Sequence, residues 1–131
     1  MSGSYLIIIF MGKILVVEDD PDASALMKSI LELSGLKVAV AKDGVEGIEM
    51  ARTESPSLII TDLAMPRLNG IEMIQKLRAM PEFKHTPILA ITSYGMERAL
   101  EGIKAGANRA LARPIQNHLL LVFVLDLLRK A

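Results

Sequence analysis

A handful of polar residues, each placed just after an apolar run, carry the chemistry open to this chain. Glu18-Asp19-Asp20 follows the run at 14–17, and Asp62 follows the run at 58–61. Thr92-Ser93 follows the run at 88–91, and Arg113-Pro114 follows a short one at 110–112. Carboxylates brought together must protonate or hold a cation. Two like charges ~4 Å apart repel by about 4 kcal/mol at an effective dielectric near 20. Hard oxygen donors with room for water and phosphate suit Mg²⁺. An Asp in such a site can attack a phosphoryl group, while a hydroxyl and a cation opposite hold the transferring oxygens. Asp62 is the candidate nucleophile, Thr92 the hydroxyl and Arg113 the cation. Glu18, Asp19 and Asp62 are the candidate metal carboxylates. For Asp20 or Asp22 a plainer role fits, that of N-cap to the first helix. No helix begins directly after Asp62 to be capped. His85 and His118 are isolated, and a solvated surface or a helix start accounts for both.

These residues converge only if the intervening elements bring them to one edge. Short apolar runs at 14–17, 38–41, 58–61 and 88–91, with a weaker one at 110–112, read as strands buried on both faces. Helical spacing fills the intervals. Ala23, Leu26, Met27, Ile30 and Leu33 mark a helix over 21–34, with Gly35 as its stop. Asp43 with Glu46 reads as a capping box opening a helix through Val45, Ile48 and Ala51. A loop over 64–70, with Pro66 and Asn69-Gly70, leads to a helix marked by Ile71, Ile74 and Leu77. A fourth helix spans 96–105 with Ala99, Leu100 and Ile103 inward, and Pro114 suits the first turn of a last helix reaching about 129. Five alternating units predict an α/β, flavodoxin-like (βα)5 three-layer sandwich with parallel strand order 2-1-3-4-5. In that order ligands sit at the carboxyl ends of strands one and three, where Glu18, Asp19 and Asp62 should meet.

Composition narrows the function further. One hundred and thirty-one residues are about one domain, large enough to fold without a metal or disulfide staple. Apolar residues are 51% and charged residues 23%, so the chain is globular. Fifteen basic and fifteen acidic residues give no net charge, which argues against broad nucleic-acid binding. The absence of cysteine removes thiolate metal sites and Cys nucleophiles. Aromatics at 4% leave few stacking platforms for bases. No run is long enough to span a bilayer, and 5–11 (YLIIIFM) makes a poor signal peptide, so a cytoplasmic location with no membrane association is expected. Residues 1–11 are read as an apolar N-terminal extension, either a tail or a packing arm, with Met11 as a second start site. The domain itself is read as 12–131.

KILVVEDDP at 13–21, LIITDLAMPRLNG at 58–70, PILAITS at 87–93 and ARPI at 112–115 together resemble the receiver domain of two-component response regulators. The likeness covers 12–130, and an acidic pair with D-x-x-M-P-x-x-x-G is a specific signal. It implies a phosphorylation-dependent switch, with no conventional enzyme activity beyond self-catalysed phosphoryl transfer and hydrolysis. Asp62 would be the phosphoacceptor, with a sensor histidine kinase as donor and Mg²⁺ as cofactor. Asp19 would bind the ion directly, Glu18 partly through water, and the carbonyl of Ala64 would complete the protein ligands. Thr92 would be the switch hydroxyl, and the family's lysine falls on Arg113. The pattern departs from the family in three places around the fifth strand: Arg113 for Lys, Ala110 for the aromatic rotamer switch, and Ile115 for Phe. Arg keeps the charge but is not equivalent to a compact ammonium.

The last helix is apolar nearly all round, from Leu119 to Leu125 and again at Leu127-Leu128. A helix on a sheet needs only a stripe, so the excess calls for a cover, either the apolar arm at 5–11 or a partner or second copy of the chain. The resemblance implies a homodimer through the face of the fourth helix, fifth strand and fifth helix, or docking of the kinase or a downstream effector protein there. A pseudo-receiver acting as a constitutive interaction module is the alternative, favoured by Arg113 and Ala110 and opposed by the intact acidic set. A nucleotide- or flavin-binding protein of the same fold is disfavoured, because Asp20-Pro21 stands where a glycine-rich phosphate loop would be.

Overall fold

Strand-forming runs rich in Val, Ile and Leu pair only with each other in this chain, and a computed structural model describing residues 12–130 shows how. The strands are β1 (Lys13–Val17), β2 (Lys37–Ala41), β3 (Leu58–Asp62), β4 (Ile88–Thr92) and β5 (Arg109–Ala112). They form one parallel sheet in the order β2-β1-β3-β4-β5. Between and after them lie α1 (Pro21–Leu33), α2 (Gly44–Glu54), α3 (Gly70–Arg78), α4 (Gly95–Ala105) and α5 (Asn117–Lys130), with a single 3-10 turn at Pro81–Phe83. The flavodoxin-like architecture read from the sequence is the one observed.

Period-two alternation divides the sheet into two faces. Ile14, Val16, Leu58, Ile60, Leu89 and Ile91 point to one side, where α1 and α5 cover them with Leu31, Leu120, Val124, Leu127 and Leu128. Leu15, Val17, Ile59, Ile88 and Ala90 point to the other, against α2, α3 and α4 through Ala51, Met73, Ile74 and Leu77. β3 and β4 are buried along their whole lengths. Of the expected caps, Asp20 accepts from the Asp22 N–H and Asp43 from the Glu46 N–H, while Asp22 lies inside the first turn of α1. Asn69, read from the sequence only as part of a loop, adds a third cap by accepting from the Glu72 N–H.

Three expectations need correction. The apolar positions of α1 are not all core: Leu31 and Ser24 are buried, while Leu26 is largely exposed and Leu33 is 88% exposed. Leu26 and Ile30 instead line a shallow groove with Ile115 and Leu120 of the α5 side. In α4 the inward residues are Ala99 and Gly102, and Leu100 and Ile103 face outward. The reason is close packing. A Cβ at position 102 would lie 3.1 Å from Leu63 Cδ1 and 3.2 Å from Ala90 Cβ, so a side chain there would have to push these neighbours aside. Finally, Pro114 does not start the last helix, which begins three residues later at Asn117. The apolar segment at 5–11 lies outside the described residues. Among the described residues no helix is long and apolar enough to cross a membrane.

Candidate functional site

Parallel pairing places all five strand ends on one edge. β1 and β3 are neighbours in register Val17↔Thr61, so Glu18 and Asp62 emerge side by side. β3 and β4 pair Asp62↔Ile91, and β4 and β5 pair Thr92↔Ala112, which sets Thr92 and Arg113 along the same edge. The Arg113 N–H donates to the Thr92 carbonyl at 2.8 Å.

Three carboxyls meet there. One oxygen from each of Glu18, Asp19 and Asp62 lies within 4.8 Å of the others. Glu18 is 4% exposed and Asp62 9%, whereas Asp19 is open to solvent. Burial pushes the Glu18 carboxyl up to about 7. The Asp62 charge and the Asp19 side chain push the same way, and the Asp20 N–H and Arg113 pull against them. The Glu18 Oε2 accepts from the Asp20 N–H at 3.2 Å. The Asp62 Oδ1 accepts from the Ala64 N–H at 3.2 Å, which places residue 64 directly against the acid.

Arg113 reaches across the edge from the end of β5. Its guanidinium forms an ion pair with Glu18 through Nη2, and its Nη1 lies 3.5 Å from Asp62 Oδ2 and 3.3 Å from Ser93 Oγ. Thr92 is buried, and its Oγ1 accepts from the Tyr94 N–H at 3.0 Å. That bond couples the hydroxyl to the start of α4. The structure thus brings Glu18, Asp19, Asp62 and Arg113 into one cluster with Ala64 and Thr92 beside it. His85 and His118 are exposed and stand apart from it. Three carboxyls face a single guanidinium, all donors are hard oxygens, and Asp19 opens the cluster to solvent. That donor set fits a small divalent cation such as Mg²⁺.

Two supporting contacts were not foreseen from the sequence, although Asp43 was read there as a cap and Gly70 as part of the motif. Asp43 is buried, caps α2, and also pairs with Arg67 at 2.7 Å, pinning the loop that follows Asp62. The Glu46 N–H and the Arg67 guanidinium hold the Asp43 carboxyl below the ordinary range. Arg67 itself sits at φ 64°, and Gly44 donates to the Leu68 carbonyl on the same loop. Gly70, the last residue of the D-x-x-M-P-x-x-x-G pattern, has a steric reason to be glycine. A Cβ there would lie 2.2 Å from the carbonyl oxygen of Asp62. Neither the Asp43–Arg67 pair nor this close approach leaves a periodic signal in the sequence.

Comparison with known proteins agrees with this geometry. Residues 14–124 match the family described as response regulator receiver domain, and the chain belongs to that family of two-component signalling switches. It is 36% identical over 103 residues to an uncharacterized 14.6 kDa protein of Leptolyngbya boryana, covering 78% of this chain and 79% of that one. It is 34% identical over 123 residues to the transcriptional regulatory protein CpxR of Escherichia coli, covering 92% of this chain but 51% of CpxR. The chain therefore spans about half the length of that regulator. Among solved structures, the chemotaxis response regulator CheY4 of Vibrio cholerae superposes with a TM-score of 0.83 at 30% identity, over 89% of this chain and 98% of that one. The receiver domain of sensor histidine kinase PA1611 from Pseudomonas aeruginosa, solved with a magnesium ion coordinated in its active site cleft, gives 0.83 at 26% identity, over 92% and 98%.

Proposed function

We propose that this receiver is switched by phosphorylation of Asp62, with a histidine kinase phosphohistidine as donor and Mg²⁺ as cofactor. The observation that carries the reading is the meeting of Glu18, Asp19 and Asp62 oxygens within 4.8 Å at the carboxyl edge of the sheet, with Arg113 in contact. Asp19, Asp62 and the Ala64 carbonyl would hold the ion, with Glu18 acting partly through water. When bound, the cation neutralises charge on the transferring phosphoryl oxygens. An Asp62 carboxylate oxygen attacks phosphorus, the O–P bond forms and the N–P bond of the donor breaks. The leaving imidazole nitrogen takes up a proton. Arg113 and the Thr92 hydroxyl donate to the phosphoryl oxygens. Water then attacks the phosphorus, the Asp62 O–P bond breaks, and inorganic phosphate leaves with the carboxylate restored.

Phosphorylation raises the local charge from −1 to about −2. Thr92 turning toward the new oxygens would release its bond to the Tyr94 N–H and so bias the start of α4. With Ala110 at the aromatic position, readout runs through this loop and not through a ring flip. The partners assigned to the switch are the kinase, a downstream effector and a second copy of the chain, docked on the face of α4, β5 and α5. The cytoplasm, where the kinase presents its phosphohistidine, is the location assigned.

The test uses acetyl phosphate as a small donor. Incubation with Mg²⁺ is expected to add one phosphoryl mass, lost in Asp62→Asn, while Asp19→Asn weakens Mg²⁺ binding. Absence of any mass gain under conditions that label an ordinary receiver would sink the switch and leave a constitutive interaction module.

A further inference from the structure

The lysine-to-arginine exchange at 113 changes more than the shape of a cation. β1 and β5 are separated in the sheet by β3 and β4, a span of roughly 14 Å at the usual strand spacing. The Arg113 side chain closes that gap, pairing with Glu18, ninety-five residues away in sequence. Its planar fork makes contacts that a single ammonium cannot share out in the same way. Nη2 engages Glu18 while Nη1 faces Asp62 at 3.5 Å and Ser93 at 3.3 Å. Glu18 is consequently engaged at both oxygens, Oε1 by Arg113 and Oε2 by the Asp20 N–H. It is also the most buried acid of the three, with its side chain 3% exposed.

Resting on the metal-dependent reading above, we propose that Arg113 is an internal counter-ion that competes with the divalent cation for Glu18. Metal entry then requires the fork to let go of Glu18, and Mg²⁺ binds more weakly than it would with the family's lysine at this position. Arg113 acts here as a positioning residue through Glu18, in addition to its contact with the phosphoryl group.

Titration calorimetry with MgCl₂ alone tests this without any phosphodonor. Arg113→Lys is expected to tighten Mg²⁺ binding about fivefold, the order of one partly buried ion pair. In a Glu18→Gln background, where the partner is gone, the same substitution should change the affinity less than twofold. Unchanged or weaker binding in Arg113→Lys overturns the proposal but leaves the metal site standing. Equal tightening in both backgrounds overturns it too, since the effect would then not pass through Glu18. If no variant binds Mg²⁺, the inference and the metal-dependent reading fall together. Arg113→Gln serves as a second variant should the lysine form fold poorly. On the unaltered chain, the Arg113 guanidinium NMR signals should move as Mg²⁺ is added. Signals that stay fixed at saturating Mg²⁺ would overturn the proposal independently.

Discussion

Glu18 is the residue whose environment disagrees most with its chemistry. It is a carboxyl taken almost fully out of water beside a second carboxyl, and only Arg113 and one backbone N–H offset the cost. Its proton is therefore held more tightly in the folded state than in the unfolded chain, up to about 7 against an ordinary 4.5. Folding of the metal-free protein is favoured at low pH and loses that contribution as pH rises from about 4.5 to about 7. The loss should be on the order of 3 kcal/mol across this window. Asp43 works in the opposite sense, because its carboxyl is held below the ordinary range. Its contribution is present above the ordinary carboxylate value and is lost only in more acidic solution, so the two windows do not overlap. Denaturant melts of the metal-free protein should show the decline, and Glu18→Gln should flatten it. Saturating Mg²⁺ should also flatten it, because the cation favours the ionised carboxyl. A slope unchanged by Glu18→Gln would mean that another group is responsible.

At the scale of elements, the loop between β3 and α3 is where backbone sterics and chemistry meet. Gly70 donates to the Leu63 carbonyl and sits under the Asp62 carbonyl. Gly70→Ala forces a Cβ into that oxygen, and the strand end or the helix start must move. We expect a destabilisation of about 2 to 3 kcal/mol, the range for overpacking a tight contact. Phosphorylation should fall by more than the unfolded fraction explains, because Asp62 itself is displaced. Mass labelling at a temperature where the variant is fully folded separates the two effects, and full labelling there would refute the link. The strands and the acidic edge were legible because a run such as Leu58 to Thr61 is buried on both faces and has no other place to go. The helix faces were less so. In α1 the apolar arc is wider than the contact, leaving Leu26 and Leu33 outside it. In α4 the contact belongs to Gly102, whose role is to be absent, and periodicity gives weight only to side chains that are large. The Asp43–Arg67 pair joins two loops 24 residues apart, a tertiary match that neither segment announces alone.

For the whole molecule, the docking face proposed above is the outer surface of α4 and α5. β5 is the sheet edge, with both its end residues exposed. It is flanked on one side by Tyr94, Met96, Leu100 and Ile103, and on the other by Leu119 and Val122, all substantially exposed. Met96, Leu100 and Ile103 stand at i, i+4 and i+7, one stripe of α4 facing solvent. Arg109 lies over the Phe123 ring at 5.4 Å and 3.7 Å from Asp126, so the patch also carries charge that can fix an orientation. A two-fold contact through this face would cover the stripe and the β5 edge, which is unpaired among the described residues, needing about 800 Å² from each partner. Light scattering should then report a dimer at high concentration. Leu100→Glu should weaken it on the order of a hundredfold, the cost expected when a charge replaces an apolar anchor near an interface centre. Leu33→Glu is the control, because Leu33 is the most exposed of these apolar residues and lies on α1, which covers the opposite face of the sheet from α4. A mass that stays monomeric at every concentration, or equal sensitivity to both substitutions, would assign the stripe to an effector and not to a second copy. The effector reading then has its own signature: Leu100→Glu would abolish effector capture while leaving Asp62 phosphorylation by acetyl phosphate unchanged.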